Sequence, residues 1–146
     1  MATHNYETDF LDWTQQQSAF LRAGNWAEVD REHIAEELED MGKEQKLALQ
    51  SLLRQILVHL LKVQYSPAQA PRTKWTEEII EFRDHAQTRI DATPSLKHHA
   101  PELFDKAWLQ ARRAAAKAFE LHQEKVSIPE RCPYSIQQVL DPEYFP

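Results

Sequence analysis

Residues 30–65 read DREHIAEELEDMGKEQKLALQSLLRQILVHLLKVQY, and this stretch decides the fold. Each residue turns a helix by about 100°, so positions along the stretch can be converted into directions. A series of mostly apolar residues falls within about 40° of Ile34 and forms one face over about eight turns. The series is Ile34, Leu38, Met41, Gln45, Ala48, Leu52, Ile56, His59 and Val63. An unbroken helix of this length would extend about 50 Å.

The second half of this helix is more apolar than the first. Leu53, Leu57, Leu60 and Leu61 widen the apolar arc, which predicts that this half is the buried centre of a bundle. Gly42 lies in the middle of the helix, where glycine costs roughly 1 kcal/mol relative to alanine. It indicates a close crossing by another helix, or a bend or break in this one.

The rest of the chain reads as helices separated by prolines and polar caps. Pro67 and Pro71 end the central helix, and a capping-box pair, Ser135 and Gln138, starts a short final one. Residues 1–7 are polar and are predicted to fray. The predicted helices cover about 8–23, 30–65, 73–92, 101–125 and 135–140. We therefore predict an all-α fold, a mainly antiparallel bundle of four long helices and a short C-terminal helix in one domain, 1–146.

Composition excludes several classes of protein. The net charge of −6 makes the chain a poor nucleic-acid binder, because phosphate contacts need concentrated Lys and Arg. No run of 18 apolar residues is present, so no membrane span is predicted. The N-terminus lacks the apolar core of a secretion signal, and a single cysteine, Cys132, excludes an intramolecular disulfide. We predict a cytoplasmic protein that binds neither nucleic acid nor membrane.

The sequence gives little support for a catalytic function. Cys132 stands between Arg131 and Pro133 in a predicted loop, and a half-buried small residue explains it better than a nucleophile does. No GxSxG run, phosphate-binding glycine loop or CxxC pair occurs. We predict no catalytic residues and no cofactor, which favours a non-enzymatic protein.

Metal binding is a second possibility, because carboxylates and histidines inside helical bundles hold metal ions. The expected Glu-x-x-His signature on two helices is absent. His33 with Glu36 or Glu37, and Glu81 with His85, have usable spacing. Both histidines lie about 80–100° away from the apolar faces of their helices, however. We interpret them as solvated pairs and predict no metal ligands.

His59 is the polar residue at the centre of the apolar face. If the next helix folds back through a loop near residue 69, Glu78 is the nearest carboxylate on that helix. We expect His59 to be mostly buried and hydrogen-bonded to another helix, either to a carboxylate such as Glu78 or to a backbone carbonyl or hydroxyl. A core histidine with one acceptor is the simpler interpretation, and a functional polar pocket is the alternative. Glu37, about 60° from the centre of the same face, is a further candidate pocket carboxylate, although stabilisation of the first helical turns also explains it.

Several short runs follow one another in a recognisable order. They are YETDF (residues 6–10), EELEDMG (36–42), HLLK (59–62), PSL (94–96) and CPY (132–134). Together they resemble the bacterial family catalogued as domain of unknown function 29, over almost the whole chain. The resemblance implies a small, stand-alone, all-helical bacterial protein, and it brings no activity or catalytic residues to carry over.

Two functions remain open at this point. The leading hypothesis is a non-enzymatic interaction or regulatory module that binds a protein partner or forms a homo-oligomer, because surface aromatics and a self-complementary apolar face would support association. The alternative is a bundle that binds a metal or small molecule at a polar site around His59, with Glu78 and Glu37 as the candidate carboxylates.

Overall fold

The structure is a computed structural model that describes residues 4–146. Within that range the chain is all-α, as predicted, and contains no strand. The elements are α1 (His4–Thr8), α2 (Phe10–Ala23), a 3-10 turn (Trp26–Glu28), α3 (Arg31–Tyr65), α4 (Arg72–Ala92), α5 (Leu96–Leu121) and α6 (Ile136–Leu140). Helices α2 to α5 are the four long ones, and none of the described helices is long and apolar enough to cross a bilayer.

Local chemistry places most helix ends where the sequence predicts them. The Asp9 side chain accepts a hydrogen bond from the backbone N–H of Asp12 at 3.1 Å and caps α2. Gly24 ends that helix with a φ of 69°, in the left-handed region that favours glycine. Ser135 and Gln138 form the predicted capping box at the start of α6.

Two stretches differ from the prediction. Residues 4–7, expected to fray, belong to helix α1, while residues 1–3 lie outside the described part. Helix α5 begins at Leu96 instead of near residue 101, and it ends at Leu121. The amide of Leu96 bonds the carbonyl of Thr93 in a tight first turn, and the Leu96 side chain is buried. This anchored turn starts the helix before Pro101, so the proline lies inside it.

The chain divides into two compact units, Met1–Glu44 and Gln45–Pro146. Helix α3 contributes residues 31–44 to the first unit and residues 45–65 to the second. A single domain over 1–146 stays a prediction from the sequence.

The second unit contains the large apolar core. Its α3 segment is the buried centre that the leucine-rich sequence predicts, with Leu53, Ile56, Leu57, Leu60 and Leu61 fully covered. Helix α4 adds Ile79, Ala86 and Ile90, and α5 adds Ala107, Ala111, Ala115 and Phe119. The alanines of α5 have small side chains, which allow a neighbouring helix to approach closely. Burial of one leucine contributes about 1.5–3 kcal/mol, so this core is the main source of stability in the unit.

Contacts between side chains give the directions of the helices in the second unit. Lys62 of α3 faces Trp75 of α4, and His59 faces Glu78, so the two helices run antiparallel. Gln50 at the other end of the α3 segment donates to Gln110 of α5 at 3.1 Å. These contacts position the two polar residues predicted from the helical register, His59 and Glu78, next to each other.

The first half of the apolar face on α3 is exposed. Leu38 is 62% exposed and Met41 61% exposed. Gly42 follows them within a continuous helix, and a Cβ built on it would find nothing within 4 Å. Neither a close helix crossing nor a break therefore accounts for this glycine.

Candidate functional site

Asp30, just before α3 in the first unit, is a buried acid with several partners. Its Oδ2 accepts a hydrogen bond from the indole Nε1 of Trp13 at 3.1 Å and lies 2.7 Å from Nδ1 of His33. Its backbone N–H donates to Oε1 of Gln17 at 2.7 Å. The residue is 8% exposed, so these bonds compensate for the burial of its charge. Asp30 thereby ties α2 to the start of α3.

The Asp30–His33 contact changes the pKa of both groups. The hydrogen bond that His33 donates to the Asp30 carboxylate raises the pKa of His33 above its ordinary value. Burial raises the pKa of Asp30, but the hydrogen bonds from His33 and Trp13 together outweigh burial, so the pKa of Asp30 lies below its ordinary value. Both shifts favour a charged pair in which His33 carries the proton.

Tyr6 of α1 covers this pair. Its ring stacks on the imidazole of His33 with centroids 3.8 Å apart, and it meets the edge of Trp13 at 4.8 Å. Its hydroxyl donates to Oε1 of Glu37 at 2.7 Å, and this bond raises the pKa of Tyr6 to about 12. Glu37, a predicted pocket carboxylate, therefore lies with Tyr6 in the first unit, whereas His59 and Glu78 belong to the second.

An open groove of about 370 Å³ lies between α2 and the first turns of α3. Leu21, Ile34 and Leu38 supply much of its apolar wall. Gln17 also lines the groove and is 2% exposed. Its side-chain nitrogen has no hydrogen-bond partner in the described part of the chain. The groove is therefore an apolar surface with a buried donor behind it.

The first unit exposes more large apolar side chains than it buries. Among its described residues, Trp13 is the only buried hydrophobic side chain. The large apolar side chains that stay exposed are Phe10, Leu11, Leu21, Trp26, Leu38 and Met41. An exposed apolar patch of this kind often marks an interaction surface.

His59 and Glu78 meet in the second unit. His59 Nε2 lies 2.6 Å from Oε2 of Glu78, and His59 Nδ1 lies 2.7 Å from the carbonyl of Gln55. Both ring nitrogens therefore face oxygen acceptors, and an imidazolium donates to both at once. The ring also meets the edge of Phe82 with centroids 5.4 Å apart. The His59 side chain is only 14% exposed, so it is mostly buried, as predicted, and it links α3 to α4.

A cavity of about 390 Å³ adjoins this pair. Glu78 forms part of its wall, together with Lys62, Lys74, Trp75 and His122. Basic, acidic and aromatic side chains thus line a space large enough for a small organic molecule.

The family comparison covers nearly all of the described chain. Residues 5–145 match the family described as "Domain of unknown function DUF29". The chain belongs to this family. No curated protein and no solved structure matches it at a significant level. The family description names no activity, so the candidate chemistry depends on the geometry above.

The two histidines considered as metal ligands from the sequence have different surroundings. His33 bonds to Asp30 and stacks on Tyr6, so it is not a solvated residue, while His85 is exposed. Among the side chains that the structure describes, no three of His, Cys, Asp or Glu come together as possible metal ligands. Cys132 is half-buried, and burial raises the pKa of its thiol.

Sequence reasoning missed the pairing of Asp30 with His33 and the contribution of Tyr6. The backbone carbonyl of Asp30 also accepts the hydrogen bond from the Ile34 N–H that opens α3. The three-residue spacing of Asp30 and His33 on the first turn was the available signal. The cover by Tyr6 had no such signal, since it depends on the short helix α1.

Proposed function

We propose that this member of the family is a non-enzymatic interaction module whose first unit binds a basic amphipathic helix of a partner protein. One observation carries the proposal: the unit leaves most of its large apolar side chains exposed and buries Trp13 alone among its described hydrophobic residues. A helix pair with so little internal burial gains most by covering its apolar surface with another chain.

The negative charge of the first unit favours a basic partner. Residues 1–44 contain eleven Asp and Glu but only three Lys and Arg, a formal net charge of −8, whereas residues 45–146 carry twelve acids and fourteen bases, a net +2. A second copy of the first unit would bring the same strong negative charge to the interface. A helix rich in Lys and Arg would instead be attracted to it.

The groove between α2 and α3 suits such a helix. Its apolar wall, which includes Leu21 and Leu38, would receive the apolar face of an amphipathic helix, whose anchors recur at three- and four-residue spacing. Glu37 at the same groove offers a carboxylate to a basic side chain.

The test uses two fluorescently labelled peptides of about 18 residues made of Leu and Lys, one with helical amphipathic order and one scrambled. Anisotropy should show binding of the ordered peptide that weakens as salt rises. Leu38→Gln should lower the affinity about tenfold, since truncating an apolar anchor costs about 1–2 kcal/mol. Leu109→Gln is the matched control, because Leu109 is equally exposed on α5 in the second unit.

Equal binding of the ordered and scrambled peptides would mean simple charge attraction and would contradict the proposal. Loss of binding in Leu109→Gln as well as Leu38→Gln would also contradict it. Light scattering of the unliganded protein gives a separate check. A dimer that Leu38→Gln dissociates would assign the groove to a second copy instead.

We also propose a cytoplasmic location, a bacterial source and no sequence-specific nucleic-acid binding. The single half-buried thiol of Cys132 suits a reducing compartment. The net charge of −6 opposes binding to phosphate backbones. Selective retention on duplex DNA at physiological salt would contradict the last of these proposals.

A further inference from the structure

The cavity of about 390 Å³ in the second unit lies where the ends of α3 and α5 meet the start of α4. Two lysines, Lys62 and Lys74, line it beside the rings of Trp75 and Phe119. Its volume falls within the range of pockets that bind small molecules. The arrangement combines positive charge with flat apolar surfaces.

The carboxylates of the cavity wall already have partners. Oε2 of Glu78 lies 2.6 Å from Nε2 of His59. Glu124 accepts hydrogen bonds from the hydroxyl of Ser66 at 2.8 and 3.1 Å, and Ser66 is buried. These contacts hold both acids in fixed positions.

The lysines have no such partners. In the described part of the chain, neither Lys62 nor Lys74 forms an ion pair. The ammonium group of Lys62 lies 5.9 Å from the ring centroid of Trp75, a cation–π contact that leaves its hydrogen-bond donors available. The cavity therefore presents two lysine ammonium groups that have no carboxylate partner, and that of Lys62 lies next to an indole.

We propose that this cavity binds a small planar organic anion. Its carboxylate or phosphate group bonds to Lys62 and Lys74, and its flat apolar part packs against Trp75 and Phe119. This site is independent of the helix-binding groove, because it uses other residues and lies within the second unit.

His59 is a positioning residue for this site. Lys62 lies three residues after His59 on α3, and Glu78 lies three residues after Trp75 on α4, so the four side chains are neighbours on facing helices. By bonding Glu78, His59 keeps this carboxylate from neutralising Lys62. Without His59, Glu78 is free to pair with the lysine and to repel an anionic ligand.

The experiment titrates the full chain with 2-naphthoate and, separately, with the uncharged 2-naphthamide, and follows the tryptophan indole N–H signals by NMR. Naphthoate should shift the Trp75 signal saturably and bind more tightly than the amide. The Trp108 indole bonds to the carbonyl of Glu130 and does not line the cavity, so its signal should stay in place.

Variants separate the roles of the charges. Lys62→Gln and Lys74→Gln should each weaken naphthoate binding about three- to fivefold, as expected for partly exposed ion pairs. Lys97→Gln is the matched control, because Lys97 is an exposed lysine of α5 that does not line the cavity. Equal binding of naphthoate and naphthamide, or no effect of either cavity lysine, would overturn the proposal.

The positioning role of His59 has its own readout. His59→Leu should weaken naphthoate binding, and adding Glu78→Gln to it should restore the affinity, because the released carboxylate is then neutral. A purely structural role predicts no such rescue. If the double variant, shown by its NMR spectrum to be folded, binds as weakly as His59→Leu, the positioning role is wrong.

Discussion

The carboxylate of Asp30 lies 2.7 Å from the imidazole of His33, and the same carboxylate accepts the indole N–H of Trp13. Two neighbouring helices of the first unit therefore share one buried negative charge. Because the unit has little apolar core, we expect this polar junction to carry an unusually large part of its stability.

The first prediction concerns the pH dependence of that junction. The pKa of His33 is raised in the folded protein. The contribution of His33 to the free energy of unfolding is therefore complete below pH 6.5, the ordinary pKa of histidine, and is lost as pH rises through the folded pKa. The pKa of Asp30 is lowered in the folded protein. The contribution of Asp30 to the free energy of unfolding is therefore complete above pH 3.8, the ordinary pKa of the group, and is lost as pH falls through the folded pKa. Both contributions are complete between about pH 4 and 6.5.

Thermal unfolding of the wild type and His33→Gln at a series of pH values measures this contribution. The difference in melting temperature should be largest between about pH 4 and 6.5 and should shrink above that range. His85→Gln, which removes an exposed histidine from α4, is the control and should show little difference. A His33→Gln effect that stays constant from weakly acidic to alkaline pH would contradict the pairing.

The second prediction contrasts two leucines of α3. Leu57 is fully covered in the core of the second unit, whereas Leu47 is mostly exposed. Leu57→Ala should lower the free energy of unfolding by about 2–5 kcal/mol through lost burial and a new cavity. Leu47→Ala should change it by less than about 0.5 kcal/mol. Denaturant titration of both variants measures the free energy of unfolding. A similar decrease in the two variants would contradict the placement of the core.

The third prediction uses the two glycines of the chain. Gly42→Ala should raise the free energy of unfolding by up to about 1 kcal/mol, because alanine favours the helix and a Cβ there meets nothing within 4 Å. Gly24→Ala should lower it by about 1 kcal/mol, since φ is +69° at that position. Denaturant midpoints of the two variants should therefore move in opposite directions. A destabilising Gly42→Ala would indicate a contact at this exposed turn.

The sequence predicted what depends on helical periodicity. The buried half of α3, the end of that helix before Pro67, and Glu78 as the carboxylate nearest His59 all follow from register along one or two helices. The exposure of Leu38 and Met41 in the first half of α3 does not follow from the sequence. The apolar pattern of a helix does not identify the surface that will contact its apolar face.

Contacts that depend on loops or short elements were not predictable in the same way. The stacking of Tyr6 on His33 needs helix α1, which is too short for a periodic signal. The cavity beside Trp75 depends on where the chain between α3 and α4 passes the end of α5. Such tertiary placement has no local pattern in the sequence, so only the structure brings Lys62 and Trp75 together.

The last prediction concerns Arg83, a buried cation on α4 that is 4% exposed. Its Nε donates to the carbonyl of Val139 at 2.8 Å, and its Nη2 donates to that of Gln138 at 3.1 Å. Both carbonyls lie in the last turn of α6, and that of Gln138 also accepts the backbone N–H of Asp141 at 3.2 Å. The guanidinium also lies 5.0 Å from the ring centroid of Phe145. Burial lowers the pKa of Arg83, because desolvation disfavours the charged guanidinium.

Arg83→Met removes the donors but keeps much of the side-chain volume. It should lower the free energy of unfolding by about 2–3 kcal/mol, because two carbonyls lose a charged partner, and amide exchange should become faster in residues 136–140. Arg83→Lys should give an intermediate loss, since an ammonium group does not reproduce the planar fork of a guanidinium. Arg89→Met, on the exposed side of the same helix, should leave both measurements nearly unchanged. If exchange in α6 is the same in Arg83→Met and the wild type, Arg83 does not hold the C-terminal segment against α4.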